Sequence, residues 1–425
     1  MILFLSIVLV YYRTTRRRLD FREIELYFKI MNKILSILVL SFILSNTSSA
    51  TPPKNKWSPS LEKWKKIFKK VEYPPNDCKY CTERHDYWAY DTYRKSSLEN
   101  RNHKNNGGLK KIIIKPAKSN PVRIIKKNIK PLPKEIYDYV YYRDISSLMV
   151  FDKGVLIHDW KRDYIFNDKP IDGQSRSKSI VGIAAIKMAC QNILDLNKTH
   201  AEYSSEIKDS FYGHVTLKDS LNMLARDQYV MNYNILKETH RKKSDLVSIL
   251  NRHPKRLETE GPKEFKYSNP NTDLITLDMI NILGGKKKFA KWFQKNISEA
   301  AGFASKGKIL LDKKGAPISS ASIMLTREDW LRFGMYVIEL MEDKNSCEAK
   351  KLQEAFENAV PTKKKFAPKY AMFFWLNGYG IDNLVQMRGY GLRLSLIDWK
   401  NDRIIQTNSF AISWKPQELV NLIWK

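Results

Sequence analysis

Apolar and polar residues follow three rhythms along this chain, and each predicts a different element. From 142 to 166, "YRDISSLMVFDKGVLIHDWKRDYIF" sets β-branched and aromatic residues on either side of an Asp-Lys-Gly turn, which predicts strand, turn, strand. After Ser175 the apolar positions Ile180, Val181, Ile183, Ala184, Ala185, Ile186, Met188 and Ala189 keep to no single stripe. They surround most of a helical axis, and a helix apolar nearly all round is a buried one. From about 200 to 360 the spacing is mostly helical, as in "TLKDSLNMLARD", "TDLITLDMINILGG" and "TREDWLRFGMYVIELMED", with Gly284-Gly285 as a helix stop. From 370 strands return in "YAMFFWLNGYG" and "NLVQMRGYGLRLSLIDWKNDRIIQTNSFA", and "KPQELVNLIWK" closes the chain as an amphipathic helix. Strands at both ends with helices between predict an α+β fold. Early and late strands share a mostly antiparallel sheet flanked by helices, and the middle forms a second, mainly helical subdomain.

The N-terminal third breaks these rhythms. Residues 51–134 are rich in Pro, Lys, Asn and aromatics, with a "NNGG" turn and short extended runs such as "KKIIIKP". They predict a loop-rich extension ahead of a principal domain at 135–425. Residues 31–50 read as a signal peptide: Lys33, an apolar run from Ile34 to Leu44, then Ser48-Ser49-Ala50. Residues 1–30, with "MILFLSIVLVYY" and Arg16-Arg17-Arg18, read as an upstream extension or a start assigned too early. The expected location is therefore the periplasm or the exterior.

Charge changes this picture little. The formal net charge is +29, and +25 without residues 1–50, which carry seven Lys/Arg and three Asp/Glu. The lysines are scattered, and no segment interleaves basic and aromatic residues as a nucleic-acid module would. Nucleic acid is excluded as a partner, and a loose attraction to anionic envelope surfaces remains. Export permits disulfides. The "CKYC" pair, Cys78 and Cys81, is the disulfide candidate, because no second CxxC appears and His85 and His103 complete no zinc pattern. Cys190 lies in the apolar helix and reads as core.

Candidate chemistry clusters at three places. Ser175 and Lys178 fall three apart at the mouth of the apolar helix, so they share one face. A buried amine loses its proton more easily, from an ordinary pKa of about 10.4, and can then take one from a neighbouring hydroxyl. The same Ser-x-x-Lys spacing recurs at Ser60, Ser205 and Ser305, but only Ser175 opens a buried-type helix. The second place is Tyr267-Ser268-Asn269, before a new helix. Its phenol can relay protons and its amide can hold a substrate carbonyl, or the stretch is a capping turn with a packed tyrosine. The third is "QMRGYGLRLSLID", where Arg388, Gly389 and Gly391 let a ligand approach a strand, or simply make a hairpin entry.

In this order and spacing, these residues resemble the serine β-lactamase and penicillin-binding-protein superfamily. The likeness is to its class C β-lactamase, esterase and 6-aminohexanoate-dimer hydrolase branch. "SRSKS" at 175–179 matches the run opening the family's central helix, and "YSNPNTDLI" matches its Tyr-x-Asn motif. "LDLN", "VTLKDSLNMLARD", "ASIMLTREDWLRFGMYVI", "FFWLNGYG" and "RGYGLRLSLID" look like its later segments, over about 135–425. The resemblance implies an acyl-enzyme mechanism on an ester or amide, with no cofactor and no metal. Ser175 would attack, Lys178 would act as base and Tyr267 would share proton transfer. Asn269 would orient substrate, and N–H groups of Ser175 and near Arg388–Gly389 would bind the oxyanion. The family's Lys-Thr-Gly is replaced by Met387-Arg388-Gly389, which alters the cationic anchor for a substrate carboxylate; Arg388 or Arg393 are its candidate substitutes. An α/β-hydrolase fails, because "GQSRS" lacks the last Gly of the nucleophile elbow. A zinc hydrolase lacks a HExxH-type ligand pair. The remaining alternative is a non-catalytic envelope binding protein that retains the fold.

Overall fold

The Asp-Lys-Gly turn falls where the sequence puts it, at Lys153–Gly154, between two strands of a large sheet. A computed structural model of the chain describes residues 110–119, 125–143, 145–162, 165, 167–227, 245–252, 261–409 and 414–424. All of them lie in the compact unit Val71–Lys425. The signal-peptide stretch, Ser60 and the Cys78–Cys81 pair lie outside the described residues.

The strands in chain order are β1 (Lys111–Ile114), β2 (Lys126–Lys127), β3 (Ile145–Asp152), β4 (Val155–Lys161), β5 (Ile171–Asp172), β6 (Gly307–Leu310) and β7 (Ile323–Leu325). They continue with β8 (Val360–Pro361), β9 (Lys369–Ala371), β10 (Phe374–Leu376), β11 (Leu384–Gly389), β12 (Arg393–Asp398) and β13 (Arg403–Ser409). The longer helices are α1 (Lys134–Tyr142), α2 (Ser177–Cys190), α3 (Pro270–Ile282), α4 (Lys286–Phe293), α5 (Arg327–Glu342), α6 (Cys347–Glu357) and α7 (Pro416–Trp424). Nine strands make one sheet in the order β2-β4-β3-β13-β12-β11-β10-β9-β8, antiparallel except at β2–β4. The pairing of β3 with β13 joins early chain to late chain.

Both faces of this sheet are covered, which is why β3 is buried almost throughout. Met149 and Phe151 point into a core shared with Ile180, Ile183 and Ala184 of α2 and Phe333 and Val337 of α5. Leu148 and Val150, one step out of phase, meet Tyr139 and Val140 of α1 and Leu419 and Val420 of α7. Helix α2 is buried on nearly every side, as its sequence predicts. It lies so close to the β9–β10 hairpin that a Cβ on Gly182 would sit 2.2 Å from the Met372 carbonyl oxygen.

Five features depart from the sequence reading. The run "YAMFFW" is broken by a turn at Met372–Phe373, both at positive φ (+48° and +63°). No Asn-Gly signal marks it; the two N–H groups bond to the Asn222 side chain and the Leu221 carbonyl instead. "TLKDSLNMLARD" is helical only over Leu217–Leu221. The middle of the chain supplies strands β6 and β7, which form a second sheet in the order β1-β6-β7-β5. Strands β1 and β2, from the stretch read as an extension, thus pair into the two sheets. Finally, Cys190 is not merely core: it forms a disulfide with Cys347, 157 residues away, tying the end of α2 to the start of α6.

Candidate active site

Ser175 is delivered by a tight turn rather than by a helix cap. The chain leaves β5 at Asp172, turns at Gly173 and makes a single 3-10 turn, Gln174–Arg176, before α2 begins at Ser177. Gln174 takes φ +47°, a left-handed conformation costly for a residue with a Cβ. Gly173 has no room for a side chain, since a Cβ there would lie 2.4 Å from the Trp330 ring. A Cβ on Gly389 would lie 2.2 Å from the Gly173 carbonyl oxygen, so the end of β11 meets the Ser175 turn backbone to backbone. The predicted neighbourhood of Ser175 and Gly389 is therefore real.

Lys178, one turn into the bend, is 1% exposed. Its Nζ lies 2.9 Å from Ser175 Oγ, 2.8 Å from Asn269 Oδ1 and 2.8 Å from the Ser320 carbonyl oxygen. An ammonium has three hydrogens to give, and a neutral amine has two hydrogens and one lone pair. Asn269 Oδ1 and the Ser320 carbonyl can only accept, so they hold two N–H bonds in either state. The third position faces Ser175 Oγ. When the amine is neutral, its lone pair points at the serine hydroxyl. Burial pulls the Lys178 ammonium down to about 7, while the charge of Asp273 opposes that fall.

Asp273 and Ser320 are the residues that sequence reasoning missed. Asp273 lies in the first turn of α3, where an acid reads as ordinary helix-terminus chemistry. In the fold its carboxylate accepts from the Ser320 backbone N–H at 2.7 Å and the Ser320 hydroxyl at 3.0 Å. Burial pushes its carboxyl up to about 7, against these hydrogen bonds and the charge of Lys178. The buried serines of the short helix Ser319–Ser322 were the available signal, since an apolar core element has no need of so many hydroxyls.

Tyr267 stands beside the pair. Its ring centroid is 5.0 Å from Lys178 Nζ, and it stacks on Trp375 at 5.4 Å. Burial raises its phenol above the ordinary range, while a hydrogen bond with Ser175 and the charge of Arg388 oppose the rise. Hydroxyl, amine and phenol thus converge as the sequence predicted. Asn269, expected to hold a substrate carbonyl, accepts from Lys178 through its side-chain oxygen, a different atom from the amide nitrogen that would meet a carbonyl.

The glycine-rich strand divides. Arg388 is partly exposed, lies over the Phe366 ring at 4.2 Å and donates to the Tyr379 hydroxyl. Arg393 is fully buried in a salt bridge with Asp172, so it is no surface anchor. Gly391, at φ +74°, sits in the turn joining β11 to β12, which is the hairpin-entry reading. The other described Ser-x-x-Lys copies are superficial. Ser205 and Lys208 are exposed, and Ser305 and Lys308 are only half-buried.

This architecture is a fold shared with solved proteins described as a hydrolase, a penicillin-binding protein and a class C β-lactamase. It is similar to a protein described as a 6-aminohexanoate-dimer hydrolase from Bacillus anthracis, with TM-score 0.60 and 15% identity over 83% of this chain and 97% of that one. It is also similar to a penicillin-binding protein from Bacillus halodurans, with TM-score 0.53 and 12% identity over 68% of this chain and 98% of that one. A class C β-lactamase gives TM-score 0.50 and 13% identity over 68% and 94%. No family model and no curated protein sequence matches the chain.

Proposed function

We propose that the chain is an exported serine hydrolase that cleaves an ester or amide through an acyl-enzyme. The observation that carries this reading is the buried Lys178 amine, held by two fixed acceptors with its third position on Ser175 Oγ. Neutral Lys178 takes the Ser175 proton as Oγ attacks the carbonyl carbon. The oxyanion is received by the Ser175 N–H and one from the Gly389 end of β11. As the carbon–leaving-group bond breaks, the proton passes by way of Tyr267 to the departing amine or alcohol. Water then attacks the ester carbonyl, gives a proton back along the same path and releases the acid. The description of the Bacillus anthracis neighbour names a linear amide, which supports including such amides beside esters. Export is supported by the Cys190–Cys347 disulfide, since such bonds persist in oxidising compartments.

The test is labelling of the purified chain with acylating probes, read by peptide mass spectrometry. The adduct is expected on Ser175 and absent from Ser60, Ser205 and Ser305. Turnover of a p-nitrophenyl ester is measured beside it, in the wild type and in Ser175→Ala. Equal rates in the two would favour a non-catalytic binding protein.

A further inference from the structure

Behind the Tyr267 loop, and apart from the groups above, lies a second serine, histidine and aspartate. His200 Nδ1 is 2.5 Å from Asp278 Oδ2, and His200 Nε2 is 2.7 Å from Ser220 Oγ. All three side chains are fully buried, so no substrate reaches them. Burying a carboxyl, an imidazole and a hydroxyl in this way costs free energy that apolar residues would not. The directions of the hydrogen bonds show what that arrangement does.

Asn271, in the first turn of α3, turns its Nδ2 towards Met223 Sδ (3.4 Å) and the Ser268 carbonyl (3.5 Å). Its Oδ1 therefore faces Ser220, whose hydroxyl donates to it at 3.1 Å. With that hydrogen committed, Ser220 Oγ accepts from His200 Nε2–H. At the other end Asn281 donates to Ser204 Oγ, and Ser204 donates to Asp278 Oδ1 at 2.6 Å. One proton is left to share between Asp278 Oδ2 and His200 Nδ1. The bonds from Asn281 to Asp278 and from His200 to Asn271 thus each have one direction, and the row ends on the residue between Tyr267 and Asn269. A second buried contact meets the same residue: the Ser268 hydroxyl lies 2.9 Å from the Tyr212 hydroxyl, which bonds to Asp227.

We propose that the chain Asp278–His200–Ser220–Asn271 is a positioning device that holds the Tyr267–Asn269 loop in register with Ser175 and Lys178. The inference rests on the hydrolase reading for its kinetic consequence, but not for its structural one. His200, Ser220 and Asn271 are positioning residues, since none touches the reacting atoms.

The test uses Ser220→Ala, which removes one hydroxyl and keeps a good helix former. Hydrogen exchange of the 266–269 backbone is expected to quicken in this variant. The rate constant for acylation of Ser175 is expected to fall about tenfold, the worth of one lost hydrogen bond, with probe affinity nearly unchanged. In a Tyr267→Phe background the same substitution should slow that rate by less than in the wild type, because the phenol is one of the two groups the loop positions and only Asn269 remains. A merely structural role would slow both backgrounds alike. Unchanged exchange at 266–269 in a folded Ser220→Ala protein would overturn the proposal, as would equal slowing in the two backgrounds. A wild type that takes no label at Ser175 would defeat the hydrolase reading, and the exchange comparison would still decide the positioning.

Discussion

The two ends of helix α2 carry two sequestered lysines that titrate in opposite directions. At the N-terminal end, burial dominates and Lys178 is pulled down; no carboxylate touches its Nζ. Near the C-terminal end, burial also disfavours the charge of Lys187. There Tyr336 and Glu348, the latter 3.2 Å away, outweigh it and the net shift is upward. One helix therefore holds a lysine whose charge is disfavoured and one whose charge is favoured, and the difference lies in the partners rather than in the lysines. Neutral acceptors hold an amine without paying for its charge, whereas an acid at contact distance makes the charge permanent.

The comparison breaks most completely at the reacting pair. Ser175→Ala and Lys178→Met should each lower acylation on the order of 10³-fold or more, because residues acting as one unit fail together. Stopped-flow or mass-spectrometric labelling measures it. Lys178→Arg should be nearly as inactive, since a guanidinium stays charged. At the other end, separating Cys190 from Cys347 by Cys347→Ser should cost about 2–4 kcal/mol of unfolding free energy in urea. Labelling of Ser175 in the folded protein should be nearly unaffected.

Acidity sharpens the contrast further. Only neutral Lys178 can accept the serine proton, so the acylation rate should rise with pH through about 7. That midpoint belongs to the coupled Lys178–Asp273 unit. Asp273→Asn removes the charge that holds the lysine proton on, so the midpoint should move to lower pH by about one unit. Stability gives the same signs. The unfolded chain keeps the Lys178 proton to about pH 10.4 and the folded one releases it near 7, so this group makes stability rise with pH in between. Asp273, raised on folding, acts oppositely between its ordinary value and about 7. Lys187 holds its proton longer when folded, so its contribution is present at neutral pH and lost as pH rises beyond the ordinary lysine range. The smallest effect is Lys187→Met, which should leave the acylation midpoint where it is.

Much of this was legible before any coordinates. Helix α2 announces its burial in Ile180 to Ala189, and burial is what sets this Ser-x-x-Lys spacing apart from its more exposed copies. The strand-turn-strand at 145–161 and the closing helix were equally plain, because period and turn residues agree there. What stayed hidden depended on distance along the chain. Ser320 reaches Lys178 from 142 residues away, and Asp273 is held by that same remote turn. The Cys190–Cys347 bond hid for a similar reason, since an apolar helix explains a cysteine without any partner. The Met372–Phe373 turn misled the strand reading because its conformation is imposed by Leu221 and Asn222, not by its own residues.

The pairing of β1 with β6 bears on how this protein can be shortened. Lys111–Ile114 lies alongside Leu310–Gly307, and Ile112 and Ile114 fill the core beneath. A chain trimmed to begin at 135 would uncover a row of unpaired backbone groups on β6 and open a hole under it, an invitation to intermolecular strand addition. Recombinant boundaries should therefore be drawn upstream of Lys110, and clumping after trimming at 135 would reflect the loss of the edge strands β1 and β2.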